Sequence, residues 1–264
     1  MAIKRRDFLK LGGLTLVGTA VSAAVENLLI KGEAKAEGYT SAPESLKGKR
    51  WALVIDVKKC KENQSTCGFK CIEACNVYHN IPNIPDPKKE IKWIWKDNFE
   101  HAFPEEGTNK YLVEKLEGIP FILLCNHCEN PPCVRVCPTR ATFKREDGIV
   151  MMDYHRCIGC RFCMAACPYG ARSFNWYDPR KYLSKVNPLY PTRTKGVVEK
   201  CTLCYERLAD GKVPACVEAC PAKAIIFGDL NDPNSEVNKV LEERMAIRRK
   251  EELGTGPSVF YLID

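Results

Sequence analysis

Sixteen cysteines in a chain of 264 residues, all of them between Cys60 and Cys220, restrict this sequence more than any other feature. They fall into four groups of four. Cys125, Cys128, Cys133 and Cys137 are spaced C-x2-C-x4-C-x3-C, and Cys157, Cys160, Cys163 and Cys167 are spaced C-x2-C-x2-C-x3-C. Cys201, Cys204, Cys216 and Cys220 read C-x2-C-x11-C-x3-C, and each of these three groups ends in Cys-Pro. The earliest group, Cys60, Cys67, Cys71 and Cys75, is looser at C-x6-C-x3-C-x3-C and lacks the proline. Thiols at such density are disulfides, zinc ligands or iron–sulfur ligands.

The spacing separates these uses. Nested C-x2-C-x2-C runs leave little room for disulfide geometry. Zinc is disfavoured because the Cys-Pro ending recurs three times and no H-x3-5-H partner exists. A c-type haem needs C-x-x-C-H, and no cysteine here is followed by histidine. The third group carries the spacing of two-cluster bacterial ferredoxins, in which three cysteines bind one cube and the fourth binds its neighbour. A C-x2-C-x2-C loop wraps one cube, and the x3 gap, about one helical turn, turns the last cysteine toward the next. Proline then stops the helix. Each cube therefore needs a second group to complete it, and four groups make two pairs.

Asp147-Gly148 is a hairpin signal between Ala141–Arg145 and Ile149–Asp153, and Ala222–Phe227 reads as an equivalent strand. The expected fold class is α+β, a double ferredoxin-like domain over residues 37–264. Its inner motif pair occupies 125–176, and outer motifs at 52–80 and 197–230 close around it. Inserted loops and a C-terminal peripheral helix complete it. That helix is expected from Ser235 or Asn234 to Leu253, ended by Gly254, with Val237, Val240, Leu241 and Met245 on one face. Trp93 and Trp95, in an alternating stretch, are expected to pack over a cluster rather than form a docking surface. Of the four histidines, His127 and His155 adjoin ligand cysteines and could donate to sulfur, although packed or surface roles are the commoner reading.

The first 36 residues read as an export signal, with Lys4, Arg5, Arg6 and Lys10, an uncharged run from Leu11 to Val25, and Ala34-Lys35-Ala36 as a cleavage pattern. Arg5-Arg6-Asp7-Phe8-Leu9-Lys10 resembles the twin-arginine signal, a route for proteins folded before export. Retention as a membrane anchor is the alternative. Of the net charge of +7, this segment contributes +3, and the remaining +4 is too weak to indicate nucleic acid. The sequence contains no P-loop, no G-x-G-x-x-G after a strand and no nucleophile–base constellation, so no substrate-converting site is expected.

Leu124–Cys133, Tyr154–Gly170, Gly228–Ser235 and the tail near Leu253-Gly254-Thr255 resemble the exported iron–sulfur subunits of Hdr-like menaquinol oxidoreductase complexes, four-cluster ferredoxin-like proteins. The resemblance spans essentially the whole sequence after the signal. It implies four [4Fe-4S] clusters: one held by Cys60, Cys67, Cys71 and Cys220, one by Cys125, Cys128, Cys133 and Cys167, one by Cys157, Cys160, Cys163 and Cys137, and one by Cys201, Cys204, Cys216 and Cys75. The six-residue gap after Cys60 departs from the family pattern. The implied partners are a polytopic menaquinol-oxidising membrane subunit and a cytochrome c or Hdr-like iron–sulfur subunit. Membrane association would be peripheral, on the outer face of the cytoplasmic membrane. An alternative within the same wider resemblance is the iron–sulfur subunit of a molybdopterin reductase for polysulfide, tetrathionate or nitrite-type substrates. A cysteine-rich zinc module is the reading from another class.

Overall fold

The computed structural model describes residues 45–264. The export segment expected over residues 1–36 lies outside them. In chain order the elements are β1 (Trp51–Asp56), α1 (Val57–Cys67), α2 (Lys70–Tyr78), β2 (Ile94–Asp97), α3 (Phe99–Ala102), α4 (Lys110–Leu116), β3 (Phe121–Leu124), α5 (Pro132–Arg135), β4 (Thr142–Lys144), β5 (Val150–Met152), α6 (Phe162–Ala165), β6 (Ser173–Phe174), β7 (Val198–Glu199), α7 (Tyr205–Ala209), α8 (Ala215–Glu218), β8 (Ile225–Asp229), α9 (Glu236–Glu243), β9 (Ala246–Ile247) and β10 (Val259–Leu262).

Strand β1 is apolar along almost its whole length because both of its faces are covered. Trp51, Leu53 and Ile55 enter the main core, while Ala52 and Val54 meet Val237 of α9 and Leu262 of β10. It lies at the centre of a sheet ordered β8-β1-β10-β9, antiparallel to β8 and parallel to β10. Asp56 ends the strand and caps α1, its carboxylate accepting the Lys59 N–H at 2.9 Å.

The sheet and two of the three two-stranded ribbons carry one repeated connection. A strand that follows a Cys-Pro pairs antiparallel with the strand leading into another cysteine group. Thus β4, after Cys137, pairs with β5, before Cys157; β6, after Cys167, pairs with β7, before Cys201. Strand β8, after Cys220, pairs with β1, before Cys60, which brings the first and last groups together. The hairpin expected at Asp147-Gly148 is the β4–β5 ribbon.

The insert between the first two groups packs through Phe99, Phe103 and Phe121, whose rings lie 5.4–5.6 Å from one another, with Phe103 and Phe121 equally close to Tyr261 of β10. The Tyr261 hydroxyl donates to the Ile122 carbonyl at 3.0 Å, which satisfies the phenol inside the core.

The C-terminal helix is shorter than expected. Ser235 caps it and Val237 is fully buried, but α9 ends at Glu243. Arg244 is extended because its guanidinium bridges Asp56 at 2.5 Å and Asp264 at 2.8 Å. The chain then enters β9, which pairs with β10 and leaves Met245 66% exposed rather than on the packed face.

Candidate iron–sulfur sites

Three cavities are each lined by four cysteines. One is lined by Cys60, Cys67, Cys71 and Cys220 with Ile122, Pro221 and Ile225. A second is lined by Cys125, Cys128, Cys133 and Cys167 with three prolines, Val150 and Arg172 among its walls. The third is lined by Cys137, Cys157, Cys160 and Cys163. Cys75 is fully enclosed and faces Cys201, Cys204 and Cys216.

Helical spacing explains the loose first group. Cys60 and Cys67 are two turns apart on α1 and share a face. Cys71 and Cys75 are one turn apart on α2, so Cys71 meets the first cavity while Cys75 reaches the sulfurs after β7. In the other groups a tight loop does the work. The second residue inside the first C-x2-C of each group is left-handed: His127 (φ 41°), Gly159 (φ 72°) and Leu203 (φ 55°). The third residue after each Cys-Pro cysteine is left-handed too: Arg140, Gly170 and Lys223, each donating its N–H back to that cysteine's carbonyl at 3.1–3.4 Å. Non-glycine residues are strained in this conformation, and its recurrence marks a shared constraint.

The donor set fits a polycationic cluster core. Burial first, and neighbouring sulfur charge second, push Cys60, Cys71, Cys128 and Cys201 up to about 12. Cys75 and Cys204 are pushed well above the ordinary thiol range for the same reasons. Four mutually repelling buried thiolates are stable only around compensating positive charge. Backbone N–H groups already point at sulfur: Phe69 to Cys67, Leu203 to Cys201 and Ala215 to Cys204 at 3.4 Å, and Ala224 to Cys220 at 3.3 Å. Cys137 differs. Burial pushes it up, but hydrogen bonds from Thr142 and Thr139 outweigh burial and hold it below the usual range.

The four sets are neighbours in a row. Cys71 lies within charge range of Cys216, Cys201 within range of Cys125, and Cys133 within range of Cys163. The order is therefore the Cys60 set, the Cys201 set, the Cys125 set and the Cys157 set. The two ends approach solvent: Cys60, Cys67 and Cys220 are half-buried and Cys160 is exposed, whereas the Cys201 set is entirely buried.

His127 is packed and His155 lies at the surface, the commoner of the two roles expected for them. His127 makes no bond to sulfur; its Nδ1 accepts the Val150 N–H at 3.1 Å. Burial, then the charges of Lys200 and Arg172, hold the His127 imidazole well below its usual range, so it stays neutral. His155 is exposed. The histidine near sulfur is His79, whose Nδ1 lies 3.6 Å from Cys75 Sγ and whose Nε2 lies 3.0 Å from the Glu206 carboxylate. Its position one helical turn after Cys75 is the signal that would have identified it. Trp93 is buried with its ring tilted against His79, ring centres 4.7 Å apart, so it adjoins the Cys75 region through the imidazole; Trp95 is half-buried.

Cysteine cavities linked by short ferredoxin-like strand and helix units define an iron–sulfur protein. Residues 119–185 and 186–230 match the 4Fe-4S dicluster domain family model. The sequence is 40% identical to the Hdr-like menaquinol oxidoreductase iron–sulfur subunit 1 of Archaeoglobus fulgidus, over 98% of this chain and 97% of the relative. It is 40% identical to the iron–sulfur cluster-binding subunit of a menaquinone reductase from Nitratidesulfovibrio vulgaris, over 81% and 88% of the two proteins. It is 37% identical to a subunit of the tetrathionate reductase of Salmonella typhimurium, over 99% and 89%. This protein belongs to the family of iron–sulfur electron-transfer subunits of multisubunit oxidoreductases that these relatives represent.

Gly159 gives a local test of the loop geometry. Besides its positive φ, a Cβ there would run into the Gly196 carbonyl oxygen and approach the Phe174 ring at 3.2 Å. Gly159→Ala is expected to destabilise the loop by about 1–3 kcal/mol. In thermal melts, iron should leave this variant earlier than the unaltered protein. An unchanged melt would show that the loop relaxes freely.

Proposed function

We propose that this chain is an exported electron-transfer subunit that carries single electrons between a menaquinol-oxidising membrane subunit and a second redox subunit, a cytochrome c or an Hdr-like iron–sulfur protein. In this reading a double ferredoxin-like domain carries four [4Fe-4S] clusters on the crosswise ligand sets given above, from Cys60 through Cys220. Iron–sulfur cubes supply one-electron chemistry whose potential follows charge, hydrogen bonding and exposure. The protein's own residues supply the rest. Its cysteines fix four sites in a row, burial is complete at the Cys201 set, and backbone N–H groups point at sulfur. The observation that carries the reading is this row, buried at its centre and open at both ends, which suits exchange with two different partners.

The twin-arginine motif at Arg5-Arg6 supports delivery to the outer face of the cytoplasmic membrane after the clusters are in place. No helix among the described residues is long and apolar enough to cross a membrane, consistent with attachment through a partner. Menaquinol as donor rests on the full-length similarity to the Archaeoglobus fulgidus subunit. A molybdopterin reductase subunit is the second reading, favoured by the 37% identity to the tetrathionate reductase subunit over 99% of this chain.

Metal and sulfide analysis of the purified protein tests the core of the proposal. About 16 iron and about 16 acid-labile sulfide per chain are expected for four cubes. Zinc without sulfide would overturn it. Purification with native partners separates the two complexes: a molybdopterin subunit in the complex would replace the menaquinol assignment with the second reading.

A further inference from the structure

Buried cations in this protein fall into two kinds. Arg193 meets Glu199 at 2.8 Å, both side chains being fully enclosed. Arg172, Lys200 and Arg249 are also buried, at 5%, 0% and 4% exposure, yet none of the three pairs with a carboxylate among the described residues; Arg249 donates to the Ala102 carbonyl at 2.8 Å and lies over the Tyr169 ring, whereas Arg172 and Lys200 lie between cysteine sets. An isolated buried cation is unfavourable unless negative charge lies nearby.

For Arg172 the nearby charge is sulfur, while the Lys200 ammonium is held by backbone carbonyls within charge range of the Cys201 sulfur. The Arg172 guanidinium donates to Cys133 Sγ at 3.0 Å and to Thr142 Oγ1 at 2.8 Å, and its other nitrogen approaches Met152 Sδ at 3.8 Å. Its charge also reaches Cys125 and Cys167 in the same cavity and Cys163 in the next. Arg172 thus sits where the Cys125 set meets the Cys157 set. Lys200 occupies the preceding junction. Its ammonium donates to the carbonyl of Cys201, at 2.7 Å, and to the carbonyl of Val150, a residue that lines the Cys125 cavity. Glu199, the nearest acid in sequence, is turned away to Arg193, Trp93 and Asn175. His127, close to both cations, adds no charge of its own at neutral pH.

We propose that Arg172 and Lys200 are positioning residues that act through the cluster sites they adjoin, each a shared counter-cation that raises the potentials of two neighbouring clusters. This rests on the ligand sets proposed above. Arg172 acts on the Cys125 and Cys157 sets, and Lys200 on the Cys201 and Cys125 sets. The Cys125 set lies between both cations, and the Cys60 set adjoins neither. Positive charge and donation to sulfur both favour the reduced, more negative cluster, so both residues act in the same direction.

The test needs no prior assignment of signals. Redox-titrated EPR of the protein loaded with its clusters is compared across Arg172→Gln, Lys200→Met and the double variant, with iron and sulfide counted in each. One midpoint is expected to fall in both single variants and furthest in the double. A second falls only with Arg172→Gln, a third only with Lys200→Met, and the fourth stays. Arg172→Lys and Lys200→Arg keep the charge and should hold the midpoints near those of the unaltered protein. Full iron with no midpoint moving, all four moving together, or charge-conserving variants shifting as far as neutral ones would each overturn the proposal. Absence of cube-type iron and sulfide from the unaltered protein would instead overturn the ligand sets themselves.

Discussion

Cys125→Ser combined with Cys167→Ser is expected to remove one cluster, whereas Cys157→Ser combined with Cys167→Ser removes two. Iron should fall from about 16 to about 12 per chain in the first double variant and to about 8 in the second. The asymmetry follows from crosswise sharing. Cys167 immediately follows Cys157, Cys160 and Cys163 in its group, yet it lines the cavity of Cys125, Cys128 and Cys133. Cys137, the last of the preceding group, lines the other cavity. If each group instead held its own cube, the counts would be reversed, with about 8 for the first pair and about 12 for the second. Iron and sulfide assays on the two double variants therefore distinguish exchange from self-contained groups. The parallel swap of Cys137→Ser with Cys157→Ser or with Cys125→Ser gives an independent check.

That Cys137 and Cys167 each turn away from their own group was legible in the sequence because the x3 gap and the following proline act locally. A helical turn separates the last two cysteines of a group whatever surrounds them. The β4–β5 hairpin was legible for the same reason, through Asp147-Gly148. Other features depended on contacts remote in sequence. Nothing near Ser235 announces that the helix must stop at Glu243; the stop is set by Asp56 and Asp264, which draw Arg244 out of it, and by the exposed edge of β10 waiting for β9. The left-handed loop position carries a glycine only at Gly159 and was hidden at His127 and Leu203, where a side chain tolerates the strained backbone. Arg172 and Lys200 carry no local signal at all. Each becomes recognisable as an unpaired buried cation only once folding has moved every carboxylate elsewhere.

Arg193→Ala is expected to be the most destabilising substitution away from the cysteines. The Arg193 guanidinium is fully enclosed and stacks on Trp93 with its carbon 5.3 Å from the ring centre. It donates to the Asn80 carbonyl at 2.8 Å and to those of His79 and Pro191 as well as to Glu199. Glu199 in turn accepts the Trp93 indole N–H at 3.0 Å and the Asn175 amide. One side chain thus ties the end of α2, the insert at Trp93 and β7 into a single polar knot beside Cys75. Removing it leaves a buried carboxylate without its counter-charge and three carbonyls without this donor, at a cost of about 3–5 kcal/mol. For a unit of this size that lowers the melting midpoint by on the order of 10 °C. Replacing both ends with apolar groups, Arg193→Met with Glu199→Leu, should cost less than either single change, because no charge is then stranded. Additive losses in that thermal cycle would mean that Arg193 acts by packing its hydrocarbon stem. Loss of the Cys75 cluster at lower temperature than the others in Arg193→Ala would tie the knot to the site, since His79 hangs between them.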